Sequence, residues 1–160
     1  MTNTKDINLY ETGSGGDIAI INNDIHLSES LFQTVYLALF GGNVEADTLG
    51  NEIETQERED YWANSLLFGQ ATDKQMNSTT ERTLSSVVLN SQGRLEIQRA
   101  VEVDLDFLNK VATFSVNVLI LTVDNVSIEI TLQNLVNQTV EQLQFVWDNA
   151  KQDIIISKTI

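Results

Sequence analysis

Ala112-Thr113-Phe114-Ser115-Val116-Asn117-Val118-Leu119-Ile120-Leu121-Thr122-Val123-Asp124-Asn125-Val126-Ser127-Ile128-Glu129-Ile130-Thr131-Leu132 is the stretch whose pattern decides the fold. Successive side chains of a strand point to opposite faces, so residues two apart line one face. Ala112, Phe114, Val116, Val118 and Ile120 follow that period, and so do Val126, Ile128, Ile130 and Leu132. Asp124-Asn125 between them has the chemistry of a tight turn. The two runs therefore read as an antiparallel hairpin at the centre of a sheet. The most apolar part, Val116 to Val123, is interrupted by Asn117 and Thr122 and is too short to cross a bilayer.

Upstream of the hairpin the period changes from two to three or four. Leu95, Ile97, Val101, Leu105 and Leu108 place one apolar face on a helix over Arg94 to Lys110. Leu84, Val87 and Val88 do the same for a helix over Glu81 to Asn90, with Asn77-Ser78-Thr79-Thr80 offering N-caps. Ser91 reads as a new cap and Gly93 as a break between the two helices. Nearer the N-terminus, Leu31, Phe32, Val35, Tyr36 and Leu39 form the apolar face of a third helix. Ser28 is its expected cap, Glu29 its first-turn acid and Gly41-Gly42 a left-handed stop. Before it, Asp6 to Tyr10 and Ile18 to Ile21 read as two short strands that can pair across Gly13-Ser14-Gly15-Gly16, and Asn22-Asn23-Asp24 as a turn. Residues 136–147 fit a helix through Val136, Val140, Leu143 and Trp147, or a strand through Leu143, Phe145 and Trp147. The fold class that follows is α+β, with about three helices packed on a mainly antiparallel sheet.

A chain of 160 residues is one domain by length and buries roughly 70% of its unfolded surface, enough for a core without staples. The expected organisation is a single domain over 1–151 and an extended C-terminal arm over 152–160. No cysteine is present, so disulfides and thiolate metal sites are excluded. The polar start Met1-Thr2-Asn3-Thr4-Lys5-Asp6 has no apolar signal core. The formal charge of −14 disfavours a nucleic-acid backbone or an anionic membrane as partner, since both need clustered lysine and arginine. The chain also has no proline.

Candidate chemistry is sparse. His26 is the only histidine, and a general base needs an orienting acid and a nucleophile that the sequence does not place beside it. Asp104 and Asp106 are two apart and diverge on a helix, and no calcium-loop pattern occurs. The glycine run precedes a strand, whereas a phosphate loop follows one and carries a lysine. No catalytic, cofactor-binding or metal-binding residue is therefore assigned, and no cofactor is expected. Residues 43 to 60 are acidic and irregular, and a loop of more than about 12–15 residues is often functional. Tyr61 and Trp62, which follow it, are either a buried aromatic pair or a docking anchor, residue types that dominate interface hot spots. Ile154, Ile155 and Ile156 are either an edge strand of this chain's sheet or an arm that adds to a neighbour's sheet.

The order of four pieces resembles the small baseplate wedge proteins of contractile-tailed phages, on the Mu-type branch related to the lysozyme-like wedge protein of T4-type tails. The pieces are Asp6-Ile7-Asn8-Leu9 followed by Gly16-Asp17-Ile18-Ala19-Ile20 and Asp24; Ser30-Leu31 leading to Leu37-Ala38-Leu39-Phe40; Trp62 with Ser65-Leu66-Leu67; and Leu89-Asn90-Ser91-Gln92-Gly93 with Ala100-Val101 and Asp104-Leu105 before a hairpin. The likeness spans roughly residues 6 to 135. The Glu-Pro-Arg triplet of the T4-type branch has no counterpart in a chain without proline. The resemblance implies a structural, non-enzymatic subunit of a phage, tailocin or related injection-system baseplate. It further implies contacts with the tail hub and larger wedge subunits, nucleation of the sheath, six copies per baseplate, and a place in the virion tail after assembly in the bacterial cytoplasm. Two other readings stand beside it on the residues alone: a small acidic hydrolase such as a glycosidase, and an intracellular adaptor.

Overall fold

A computed structural model describes residues 6–7, 9–11, 16–28, 30–41 and 78–160. Its frame is a four-stranded antiparallel meander at the C-terminal end: β7 (Ala112–Ile120), β8 (Asn125–Asn134), β9 (Val140–Asp148) and β10 (Asp153–Thr159), in the spatial order β10-β9-β8-β7. Three helices, α1 (Phe32–Phe40), α2 (Thr79–Ser86) and α3 (Ser91–Asp104), and short N-terminal strands β1–β6 (residues 6–28) complete the described chain. The architecture is α+β, helices on a mainly antiparallel sheet.

The hairpin forms as its period predicts. β7 pairs β8 without a register shift, from Ala112 opposite Asn134 to Ile120 opposite Val126. Val118, Val126, Ile128, Ile130 and Leu132 are buried, while Thr113, Ser115 and Asn117 on the other face are exposed. The turn is held by Thr122, whose Oγ1 accepts from the Asn125 N–H at 3.0 Å.

Residues 136–147, which fit either structure in sequence, contain a turn followed by β9. Asn134 Oδ1 accepts from the Val136 N–H at 2.8 Å, and Gln138 sits at φ 60°, so the chain reverses before Val140. Leu143, Phe145 and Trp147 then face the core with Ile128 and Ile130. The expected C-terminal arm is a correction. Residues 153–159 are strand β10, paired antiparallel with β9 of the same chain, and Ile154 packs against the core. The physical reason is a local reversal. Asp148 Oδ1 accepts from the N–H groups of Ala150 and Lys151, Gln152 adopts φ 55°, and the isoleucine run is returned to the sheet.

Helix α1 starts later than its sequence signals indicate. Ser28 belongs to β6 (Leu27–Ser28), which pairs β1 (Asp6–Ile7), so it is not the cap. Instead Ser30 Oγ accepts from the Phe32 N–H at 3.0 Å, and Glu141 of β9 accepts from Ser30 Oγ at 2.7 Å and the Leu31 N–H at 3.2 Å. At its end Gly41 sits at φ −78°, outside the left-handed region, and Gly42 lies outside the described residues. Phe32, Tyr36 and Phe40 recur every four residues and lie along one helix face, against Phe145 and Trp147.

The α3 helix ends at Asp104 rather than Lys110, and a 3-10 turn, Asp106–Lys110, leads into β7. Asn90 is its N-cap, accepting from the N–H groups of Gln92 and Gly93 at 2.9 Å each. Gly93 does not break the helix. It is buried inside the first turn, and a Cβ there would overlap the carbonyl oxygen of Val88. The α2–α3 connection can therefore cross close to α3 only because that position has no side chain.

Gly93→Ala follows from this contact. Alanine is normally favoured over glycine inside a helix by about 1 kcal/mol. Here overlap with backbone should reverse the sign and lower stability by about 1–3 kcal/mol in urea unfolding. Equal or higher stability would contradict the close approach.

Candidate functional site

Two carboxylates that could have served chemistry are spent on the fold. Glu141 caps α1 as described. Asp104, at the end of α3, accepts from the Thr79 N–H at 3.0 Å and the Thr80 N–H at 2.7 Å, so it caps α2 from outside. Each places negative charge at the electropositive start of a helix, and such a cap is worth about 1 kcal/mol. Ser78, which is buried, donates to the Leu39 carbonyl and accepts from the Glu81 N–H at 3.3 Å, which fastens the end of α1 to the start of α2.

Beside this junction α2 and α3 enclose an open groove of about 640 Å3. Gly93 and Ala100 form its floor, and Thr79, Thr83, Val88 and Val103 its sides. Val88 and Val103 are largely exposed, although Val88 belongs to the face expected to point inward. The groove carries Glu96 and Arg99 as well, but Glu96 Oε1 accepts from Gln92 Nε2 at 2.8 Å along the same helix. Thr83 Oγ1 donates to the Thr79 carbonyl at 2.8 Å, so its proton is engaged in the helix. The groove thus offers apolar contact with a polar margin. It was missed in the sequence because it depends on Gly93, which in one dimension looks like a helix break.

Asp24 Oδ1 accepts from the Ile25 N–H at 2.8 Å, a local turn bond, and the His26 backbone N–H donates to the Ala19 carbonyl at 2.8 Å, next to the paired segments Ile20–Ile21 and Asp24–Ile25. Among the described residues no group of three or more His, Asp or Glu side chains could hold a metal ion, and no helix is long and apolar enough to cross a membrane.

Of the expected interface residues, Tyr61 and Trp62 lie outside the described residues, as does the acidic stretch 43–60. The isoleucine run is on an edge strand, and its register shifts between Ile154 and Ile156. Ile154 lies inward against the core, and Ile155, at the shift, is exposed. An irregularity of this kind twists an edge and re-aims one side chain.

Because β10 covers the outer side of β9 and Ile154 joins the core, removing residues 153–160 should cost stability rather than trim an appendage. The melting temperature of the truncated chain is expected to fall by at least about 5 °C, the shift given by roughly 2 kcal/mol in a domain of this size. An unchanged melting temperature would mean that the tail is an accessory arm.

No protein family, no curated protein and no solved structure matches this chain.

Proposed function

We propose that this protein is a structural subunit of a contractile-tail baseplate, of phage, tailocin or related injection-system origin. In this reading it works through interfaces with the tail hub, the larger wedge subunits and the sheath. The observation that carries the reading is the ordered sequence pieces between residues 6 and 135, three of which fall on described strands and helices. The Asp6–Asp24 piece forms short paired strands, the Leu31–Phe40 piece is the aromatic helix on the sheet, and the Leu89–Leu105 piece is the N-capped helix before the hairpin.

The chemistry of the described surface supports an assembly role over a hydrolase. Asp104 and Glu141 accept hydrogen bonds from helix starts and Glu96 from its own helix, so these carboxylates act as fixed structural acceptors. Meanwhile Ile155 on an edge strand and Val88 and Val103 at the groove present apolar groups to solvent. In the proposed assembly these groups meet neighbouring subunits.

Disrupting the gene in the genome that carries it, and imaging the resulting particles by electron microscopy, tests the proposal. Tails that lack an organised baseplate or assembled sheath are the expected result, restored by supplying the intact gene. Normal contractile tails, or a gene that lies away from any tail genes, would remove the reading.

A further inference from the structure

The two edges of the four-stranded sheet differ. β10 carries a register shift between Ile154 and Ile156 and a lysine, Lys158, both of which keep foreign strands away from an edge. β7, at the other edge, has neither. It pairs β8 over nine residues without a shift, and Val111 to Val123 contains no charged residue and no proline. A long unguarded edge of this kind is a template for a further extended strand.

Hydrogen bonds at the two ends of β7 fix which backbone groups point outward. The Leu121 N–H donates to the Asn125 carbonyl at 2.8 Å, and the Leu135 N–H to the Val111 carbonyl at 2.9 Å. Opposite residues of an antiparallel pair alternate between bonded and non-bonded. The odd-numbered residues of β7 therefore exchange bonds with β8, while Ala112, Phe114, Val116, Val118 and Ile120 turn their N–H and C=O groups away from the sheet. Among the described residues no other strand pairs with them. Their side chains lie on the core face, yet Phe114, Val116 and Ile120 are only half-buried. Leu132, Ile130 and Val126, directly opposite them on β8, are buried. The apolar layer is thus open along this edge.

The edge is complementary to itself. We propose that β7 pairs antiparallel with β7 of a second copy of this chain about a two-fold axis at Val116, joining two four-stranded sheets into one. In that register Ala112 lies opposite Ile120 of the copy, and Phe114 opposite Val118 of the copy, an aromatic and β-branched pair that favours strand association. Every outward N–H and C=O from Ala112 to Ile120 then has a partner, whereas an axis at Phe114 or Val118 would leave one end of the strand unpaired. Charge sets the direction. Lys110 precedes the strand and Asp124 follows it, and both are exposed. Antiparallel copies bring Lys110 of one to the end where Asp124 of the other lies, and parallel copies would set like beside like. A net charge of −14 opposes self-association, and this edge meets the copy through residues that carry none of it. The inference stands on the sheet edge and does not rest on the baseplate reading.

Sedimentation equilibrium of the full chain tests the proposal. One strand pair is a small interface, so a reversible dimer with Kd on the order of 10 µM is expected, mostly monomer at about 1 µM and mostly dimer at about 100 µM. The Val116 N–H points outward and makes no bond to β8, and an edge strand tolerates proline at such a position. Val116→Pro should therefore stay folded by circular dichroism and weaken dimerisation at least about tenfold. A second measurement reads the register and does not depend on that variant. The chain has no cysteine, and Ser115 and Asn117 lie on the exposed outer face. In the proposed register Ser115 of one copy is the close, non-hydrogen-bonded neighbour of Asn117 of the other, within disulfide reach. A mixture of Ser115→Cys and Asn117→Cys chains in a glutathione redox buffer should give at least about tenfold more cross-linked dimer than either variant alone. A chain that stays monomeric at about 100 µM, a folded Val116→Pro chain that dimerises undiminished, or equal cross-linking in the mixed and single samples would each overturn the proposal.

Discussion

The contact on which the described fold depends is the stack between α1 and β9. Phe32 and Phe40 lie 5.7 and 5.4 Å from Phe145, Tyr36 lies 6.4 Å from it, and Phe40 stacks at 9° on Trp147. A helix of nine residues is too short to persist alone in water, so its packed face must hold it in place. Aromatic pairs at these separations add about 0.5–1.5 kcal/mol beyond their buried area. Val35 and Leu39 on the same helix are fully buried, which makes α1 part of the core as well as its cover. Without this contact the inner face of β8 and β9 would be wet and the junction at Ser78 would have no Leu39 carbonyl to hold.

Electrostatics extend that contact into a framework. Glu141 projects from the same strand that carries Phe145 and holds the start of α1, so one strand supplies both the packing and the cap. Asp104 does for α2 what Glu141 does for α1. Both bonds join residues far apart in sequence, so they form only when the elements have docked. In a chain of net charge −14, these two acids stabilise the fold.

How much was legible in the sequence depended on whether a feature was local. The β7–β8 hairpin reads directly because most of its apolar residues lie on one face, so the period of two survives in the letters. β9 was ambiguous because Val146 is buried on the face opposite Phe145, which blurs alternation, and because Val140 at its start is exposed. The start of α1 was misplaced because Ser28 pairs with Asp6, twenty-two positions away, and because the real cap comes from Glu141. Gly93 looked like a break, since only the approach of the Val88 backbone explains it. The isoleucine tail was compatible with two partners, and the reversal at Asp148 to Gln152 returns it to its own sheet.

The central claim, that α1 is held by the aromatic stack on β9, is tested most directly by native-state hydrogen exchange on Phe145→Leu. Leucine keeps the site apolar and removes the ring. The amides of Val35 to Leu39 should exchange at least about tenfold faster, equivalent to ~1.4 kcal/mol of lost local stability. Those of the β7–β8 ladder should change less. If the α1 amides keep their original protection, or lose it only in step with β7 and β8, the helix is held by something other than this stack.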